Sequence, residues 1–344
     1  MGINVLSLFG GIETGLIALK ELGIEIDNYY SSEIDKYASS VARFNHPEII
    51  EFGDISNYAN WKLPKIDLIF AGPPCQGFSI AGKGLDWDDP RSQLFFTAIE
   101  ILWEYKPKYF LFENVASMKK DIVKEIDELM EVDSVKINSA LVSAQNRKRN
   151  YWCNWDVEQP EDKGILLKDI IEGGFVDRDK SLTMTATYRF SPQLYEYTEQ
   201  KRKQIVFVDK SQTIPATIYK ENAKSMVKRN KKGLLVGCIQ TGLKEGRAHE
   251  IGRRIYSEKG KCPTLMSNNS GGTIHRLVGE DSLDFRKLTV TECERLQTLP
   301  DGTTAQGINE QGELVKISNT QRYKMIGNGW TKDVIKHILS SSDM

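Results

Sequence analysis

The chain has 344 residues, enough for one catalytic domain and a smaller second one, and its 40% hydrophobic and 27% charged residues exclude disordered and fibrous classes. Met1 leads straight into an apolar stretch, Ile3 to Phe9, without a basic segment or cleavage pattern, Leu6 stands where a myristoylation signal prefers Ser or Thr, and no apolar run is long enough to span a bilayer. Cytoplasmic residence without membrane association is therefore expected. The net charge of −1 does not by itself point to nucleic acid, and the five cysteines (75, 153, 238, 262 and 293) include no Cys-x-x-Cys pair, so neither a disulfide framework nor a metal site is expected.

Along the first half, short apolar runs alternate with helix-like segments, the pattern of an α/β protein with a largely parallel sheet. Residues 4–9 read as a strand, Gly10-Gly11 as a turn, and 14–22 as a helix stopped by Gly23. Further strands are expected at 28–33, 66–71, 109–112, 135–142 and 150–154. Helical periodicity covers 94–105, closed by Pro107, and 121–130. After about Asp156 the texture changes to short β-type pieces between polar turns. Three of these, 179–186, 209–216 and 258–265, resemble one another at irregular spacing, which suggests recurring turn-and-strand elements rather than a solenoid. Helical pattern returns at 289–299, 320–326 and 331–339, and an Asn309-Glu310-Gln311-Gly312 turn marks a surface hairpin within 307–318. The expected division is a catalytic domain at 1–160, a small domain at 161–304, and a return to the first domain at 305–344.

Chemistry concentrates at the strand ends. The turn Phe9-Gly10-Gly11-Ile12-Glu13-Thr14-Gly15 lets backbone amides at a helix N-terminus approach a ligand, although a tight structural turn explains it equally well. Glu33 ends the next strand, where a ribose-binding acid is expected in such folds, and Asp54 follows Gly53. These three places share one rim of an open sheet and suggest a nucleoside-bearing cofactor. The next strand runs into Ala71-Gly72-Pro73-Pro74-Cys75-Gln76-Gly77-Phe78-Ser79, which displays a cysteine on a rigid turn at that same rim. A free thiol, with a pKa of about 8.5, needs activation to act as a nucleophile. Glu113-Asn114-Val115 occupies another rim position, and Arg147 and Arg149 precede Tyr151-Trp152.

Charge is unevenly distributed. Residues 201–261 hold sixteen Lys and Arg against five Asp and Glu, a local excess of +11 that leaves −12 for the remainder. Phosphate binding needs such a local basic face, and a solvated charged surface is the plain alternative.

Phe9-Gly10-Gly11, the Gly72–Ser79 run, Glu113-Asn114-Val115, Gln145-Asn146-Arg147-Lys148-Arg149, Arg295-Leu296-Gln297 and Gly327-Asn328-Gly329-Trp330 occur in this order. The set resembles the DNA cytosine-C5 methyltransferases from end to end. The first domain and residues 327–330 are closest in wording to phage and bacterial members related to the eukaryotic de novo enzymes. The resemblance implies a Rossmann-like S-adenosylmethionine-dependent methyltransferase sheet with a smaller, β-rich target-recognition domain. It implies Cys75 as the nucleophile at cytosine C6, Glu113 on the N3/N4 edge, Arg149 on the O2 side, and Arg147 bracing Glu113 or the loop. For S-adenosylmethionine it implies a pocket of Phe9, Gly11, Glu33, Asp54, Pro74, Leu94 and Asn328; core packing is the other reading of Leu94, as it is of Trp330.

Residues 76–91 match the family's loop that closes over a flipped base, with Ser79, Lys83 and Arg91 as DNA or anchoring contacts. The basic stretch takes the place of the target-recognition region, with Lys228, Arg229, Lys231 and Lys232 among its phosphate contacts. Implied partners are duplex DNA and, where one exists, a separately encoded restriction endonuclease, the protein acting as a monomer. Three other readings compete: a tRNA methyltransferase of the same fold, an inactive DNA-binding regulator, and a nicotinamide oxidoreductase, which has no use for Pro-Pro-Cys.

Overall fold

The computed structural model describes residues 2–74, 90–190, 194–208, 255–257, 276–278 and 284–344. Strands β1 (Ile3–Leu8), β2 (Ile26–Ser32), β3 (Ile50–Glu51), β4 (Leu68–Ala71), β5 (Tyr109–Val115), β6 (Val135–Asn138) and β7 (Lys148–Cys153) form one sheet in the order β3-β2-β1-β4-β5-β7-β6. All of its pairings are parallel except those of β7, which runs antiparallel to both β5 and β6. The expected α/β architecture is thus present, with one reversed strand near an edge.

The pleat sorts side chains between two apolar layers. Leu68 and Phe70 of β4 face Leu16 and Leu19 of α1 (Thr14–Leu22), together with Val334, Ile335 and Ile338 of the C-terminal helix Lys332–Ser340. Ile69 and Ala71 face the other way, toward Phe95 and Leu102 of α3 (Pro90–Tyr105) and Ile122, Ile126 and Met130 of α4 (Lys120–Met130). The four-residue spacing in α4 gives it a single apolar stripe.

Helix boundaries follow local chemistry. Gly23 takes φ 72° and its N–H closes α1 onto Leu19 and Lys20. Helix α2 (Lys36–Asn45) was not foreseen; Asp35 Oδ1 caps it by accepting from the amides of Tyr37 (3.0 Å) and Ala38 (3.3 Å). Two expectations need correction. The strand at 135–142 ends at Asn138, whose side chain accepts from Ala140 N and starts a 3-10 turn over Ser139–Leu141. The stretch 179–186 makes only a bridge between Ser181 and Gln145 before the 3-10 turn Ala186–Arg189, and side chains add to its backbone bonds: Gln145 Oε1 accepts from Met184 N, and Lys180 Nζ donates to three carbonyls. The related stretches 209–216 and 258–265 lie outside the described residues.

A further core joins Leu167, Met184, Tyr188 and Val206 to Val290, Cys293 and Leu296 of the helix Val290–Leu296, and to Tyr323 and Ile326 of the helix Asn319–Asn328. Strand Ile205–Val208 pairs antiparallel with Asp284–Lys287, and Ile255–Ser257 pairs parallel with Arg276–Val278. The hairpin foreseen within 307–318 is present as Gln306–Ile308 against Leu314–Lys316, turning at Gly312 with φ 79°. It rests on α2, where Arg43 donates to the Ile308 carbonyl. Among the described residues no helix is long and apolar enough to cross a membrane.

Strand order reverses between β1 and β4, and in open α/β sheets the crevice at the C-terminal ends of such strands receives the ligand. Phe9 and Pro73-Pro74 stand at those ends.

Candidate active site

On one side of this crevice, β4 runs into Gly72-Pro73-Pro74, β5 ends with Glu113, Asn114 and Val115, and β7 starts with Lys148 and Arg149. The register sets Glu113 opposite Tyr151 and Val115 opposite Arg149, so Glu113 and Arg149 are diagonal neighbours on one face. Arg149 Nε lies 2.7 Å from Glu113 Oε1, with both side chains nearly buried. Asn114 Nδ2 donates to the Pro73 carbonyl at 3.2 Å and ties the end of β5 to the Pro-Pro turn. From the far end of the chain, Trp330 packs edge-on against Phe70, and its indole nitrogen stands 3.0 Å from where a Cβ on Gly72 would lie. Trp330 therefore packs as core, and it also buttresses the start of this turn.

Cys75 follows Pro74 directly and lies outside the described residues, as do Ser79, Lys83, Lys228, Arg229, Lys231 and Lys232. Arg91 belongs to the first turn of α3 by its backbone, its side chain being outside the description. Arg147 reaches the C-terminal return. Its guanidinium is buried and donates to the carbonyls of Met184 (2.8 Å), Gly327 (3.4 Å) and Gly329 (2.9 Å). It clamps the C-terminal return, and the ion pair with Glu113 is made by Arg149. The reason is placement: Arg147 precedes β7, where its amide is held by Asn138 Oδ1 at 3.0 Å.

On the other side of the crevice, Phe9 takes φ 57° and Gly11 takes φ 60°, with nothing within 4 Å of where a Gly11 Cβ would be. Glu33 accepts from Gly11 N at 2.8 Å through Oε2, and from Ile34 N (2.8 Å) and Asp35 N (2.7 Å) through Oε1, so three amides orient its carboxylate. Asp54 is exposed and caps the turn Ile55–Asn60 through Ser56 N, beside an equally open Gly53. Leu94 is half-buried against the α3-side core, and Asn328 is exposed at the end of its helix. Open space above Gly11 and Gly53, two carboxylates and an apolar neighbour fit a nucleoside that carries positive charge. That neighbour is Ile34, 74% exposed. Among the described residues no cluster of His, Cys, Asp and Glu is arranged to hold a metal ion.

Sequence reasoning missed Ile34, whose signal was its place directly after the rim acid. It also missed Glu13. This carboxylate is buried and accepts from Ser7 Oγ (2.8 Å), Tyr29 OH (2.8 Å) and Ser31 Oγ (2.5 Å). Burial pushes its carboxyl up to about 7, Glu33 adds to the rise, and the three hydroxyls oppose it.

A family model described as C-5 cytosine-specific DNA methylase matches residues 3–342. The orphan methyltransferase M.Rho11sI of Bacillus phage rho11s is 32% identical over 310 residues, which make up 82% of this chain and 60% of the phage protein. A second phage enzyme, the orphan methyltransferase M.SPRI of Bacillus phage SPR, is 31% identical over 78% of this chain and 65% of its own length. The chain thus spans less than two-thirds of either phage protein. The type II methyltransferase M.HhaI of Haemophilus parahaemolyticus is 28% identical over 98% of this chain and 93% of its own. Among solved structures, a DNMT2 from Spodoptera frugiperda superposes with a TM-score of 0.55 at 21% identity over 99% of both chains, a likeness of fold.

Proposed function

The chain belongs to the C-5 cytosine-specific DNA methylase family, and from that premise we propose that it methylates C5 of a cytosine flipped out of duplex DNA, through a covalent bond from Cys75 to C6. The observation that carries this reading is the Glu113–Arg149 pair at the strand end that Asn114 ties to Pro73, two residues before Cys75 in sequence.

S-adenosylmethionine, when bound, supplies the methyl group as an electrophilic carbon on a sulfonium. Glu33 holds its ribose, Asp54 its adenine amino group, Ile34 offers an apolar face to the base, and Phe9, Gly11, Pro74, Leu94 and Asn328 complete the pocket. Cytosine C5 is a weak nucleophile. Attack of the Cys75 thiolate on C6 gives C5 enamine character, while Glu113 holds the N3/N4 edge and offsets the charge that develops there. Arg149 reaches the O2 side and fixes the Glu113 carboxylate. Arg147 keeps the C-terminal return in register behind them. Once C5 carries the methyl group, transfer of the C5 proton to water expels the thiolate from C6.

A target carbon inside a duplex is out of reach, so the base leaves the stack at a cost of roughly a few kcal/mol. In this reading residues 76–89 close over it, and Ser79, Lys83 and Arg91, the last at the start of α3, contact DNA. Residues 161–304 form the recognition domain, whose basic stretch, Lys228, Arg229, Lys231 and Lys232 included, contacts phosphates. The protein works in the cytoplasm as a monomer, and a restriction endonuclease is its partner only where the host encodes one.

The test offers duplex DNA and tRNA to the protein with radiolabelled methyl donor. Label on DNA alone is expected, and label on tRNA alone would overturn the reading. Duplex DNA bearing 5-fluorocytosine at the target should trap the wild type in a denaturant-resistant adduct, since fluorine does not leave as a proton does. Cys75→Ser should form none.

A further inference from the structure

The turn between β1 and α1 holds an unusual backbone. Phe9, Gly11 and Glu13 all have left-handed φ values of 57–60°, and two of the three carry side chains. Each such non-glycine residue costs on the order of 1 kcal/mol or more and persists only where its surroundings hold it.

Two carboxylates do the holding, from opposite sides. Glu33 takes the Gly11 amide from the crevice side. Glu13 lies underneath: its amide donates to the Gly10 carbonyl at 2.9 Å, and its side chain folds back so closely that a Cβ on Gly10 would stand 1.9 Å from Oε1. Three hydroxyls converge on that carboxylate, Ser7 from β1 and Tyr29 and Ser31 from β2. The pleat makes this possible, because Tyr29 shares the sheet face that α1 covers and Ser7 and Ser31 follow the same alternation. The titratable groups acting on Glu13 from these elements are Tyr29 and Glu33.

We propose that Glu13 is the positioning residue of the cofactor turn, holding Phe9-Gly10-Gly11 in its left-handed course as a carboxylate that the positive charge of the methyl donor stabilises. The proposal rests on the S-adenosylmethionine reading of the crevice. An ionised Glu13 accepts from all three hydroxyls at once. The proton on a neutral Glu13 needs one of these hydroxyl oxygens as its acceptor, which rearranges the support under the turn. The anion, however, faces a second anion, Glu33. A ligand bearing a sulfonium and an ammonium relieves that repulsion, and the demethylated product, which lacks the sulfonium, relieves it less. The protonation equilibrium of Glu13, pushed up to about 7, therefore couples to donor binding near neutral pH.

The sign follows from linkage. The donor favours deprotonated Glu13, so donor affinity climbs with pH through the Glu13 titration and levels off above it. Calorimetry with S-adenosylmethionine and with S-adenosylhomocysteine, on the full chain from about pH 6 to 8.5, reads this directly. Wild type should gain about fivefold or more in donor affinity beyond Glu13→Gln across this range, and a smaller excess for the product. The ligand's own ammonium titrates in both proteins and cancels in the comparison. Tyr29→Phe removes a hydrogen bond that favours the anion, so its midpoint should move to higher pH. That shift decides the matter if Glu13→Gln does not fold. Superimposable profiles for wild type and Glu13→Gln, or an unmoved midpoint in Tyr29→Phe, would overturn the proposal. Failure of every folded protein to bind the donor would instead overturn the cofactor reading beneath it.

Discussion

Arg149 Nε stands 2.7 Å from Glu113 Oε1 where each side chain keeps little more than a tenth of its surface in solvent. Neither partner of a shielded pair is removed cheaply, because the other is left as an uncompensated charge. Arg149→Ala should cost about 2–4 kcal/mol of unfolding free energy in urea titrations. Glu113→Gln should lower methyl transfer at least about 100-fold while leaving donor affinity within about twofold. The double change Glu113→Gln/Arg149→Ala should lose less stability than the sum of the two single changes. Additive losses in that cycle would mean that the pair is not coupled in solution.

Glu33 and Asp54 differ in how much backbone depends on them. Glu33 organises three amides, including that of Gly11, whereas Asp54 caps one short turn. Glu33→Ala should therefore weaken S-adenosylmethionine binding at least about tenfold, and Asp54→Ala by less, near the ~1 kcal/mol typical of a missing cap plus one ligand hydrogen bond. DNA binding in the absence of donor should hardly change. Unaltered donor affinity in both variants would remove the crevice as the cofactor site.

For the basic stretch the observable is a slope. Replacing Lys228, Arg229, Lys231 and Lys232 together by Ala should weaken binding to all duplexes alike. It should also flatten the dependence of log affinity on log salt by about 0.9 for each phosphate that is no longer neutralised. Fluorescence anisotropy across a salt series measures it, and identical slopes would place the phosphate contacts elsewhere. Changes at base-reading positions should instead relax sequence preference, by about 1–3 kcal/mol for each bidentate pairing.

His46 predicts acid sensitivity. It is buried, its Nδ1 is 2.9 Å from Lys20 Nζ, and burial followed by that lysine pushes its pKa from 6.5 down to about 4. The folded protein holds the ring neutral, while the unfolded chain protonates it more readily. Stability is therefore full above pH 6.5 and declines as pH falls toward 4. Against His46→Asn measured over the same range, wild type should lose an additional amount on the order of 3 kcal/mol. Parallel stability curves for the two proteins would show that His46 does not titrate in this way.

The sheet and the strand-end place of Glu113 were legible because they are written locally. Gly23 stops α1, the strand cores alternate or run apolar, and Glu113 sits at the end of its strand. Helix α2 was missed because its buried side chains, Ala38, Ser40, Val41 and Ala42, are small and leave no large apolar stripe. Glu13 was missed for a different reason. Its partners lie 6, 16 and 18 residues away and come together only through the pairing of β1 with β2, so its surroundings in sequence are those of an exposed turn residue. Arg147 and Arg149 look alike in sequence and separate only once the start of β7 is fixed.

The packing of the helix Lys332–Ser340 on α1 also sets a timetable for synthesis. Leu16 and Leu19 leave the ribosome some three hundred residues ahead of Val334, Ile335 and Ile338, their partners in one core layer. At about 5–20 residues per second, the part of that layer which α1 alone does not fill stays open for on the order of tens of seconds. The strands for the whole sheet exist long before the layer that seals one side of it. Chains stalled on the ribosome at about residue 300 should bind a hydrophobic dye and a chaperone more strongly than the 344-residue chain, in which the helix Lys332–Ser340 completes this layer.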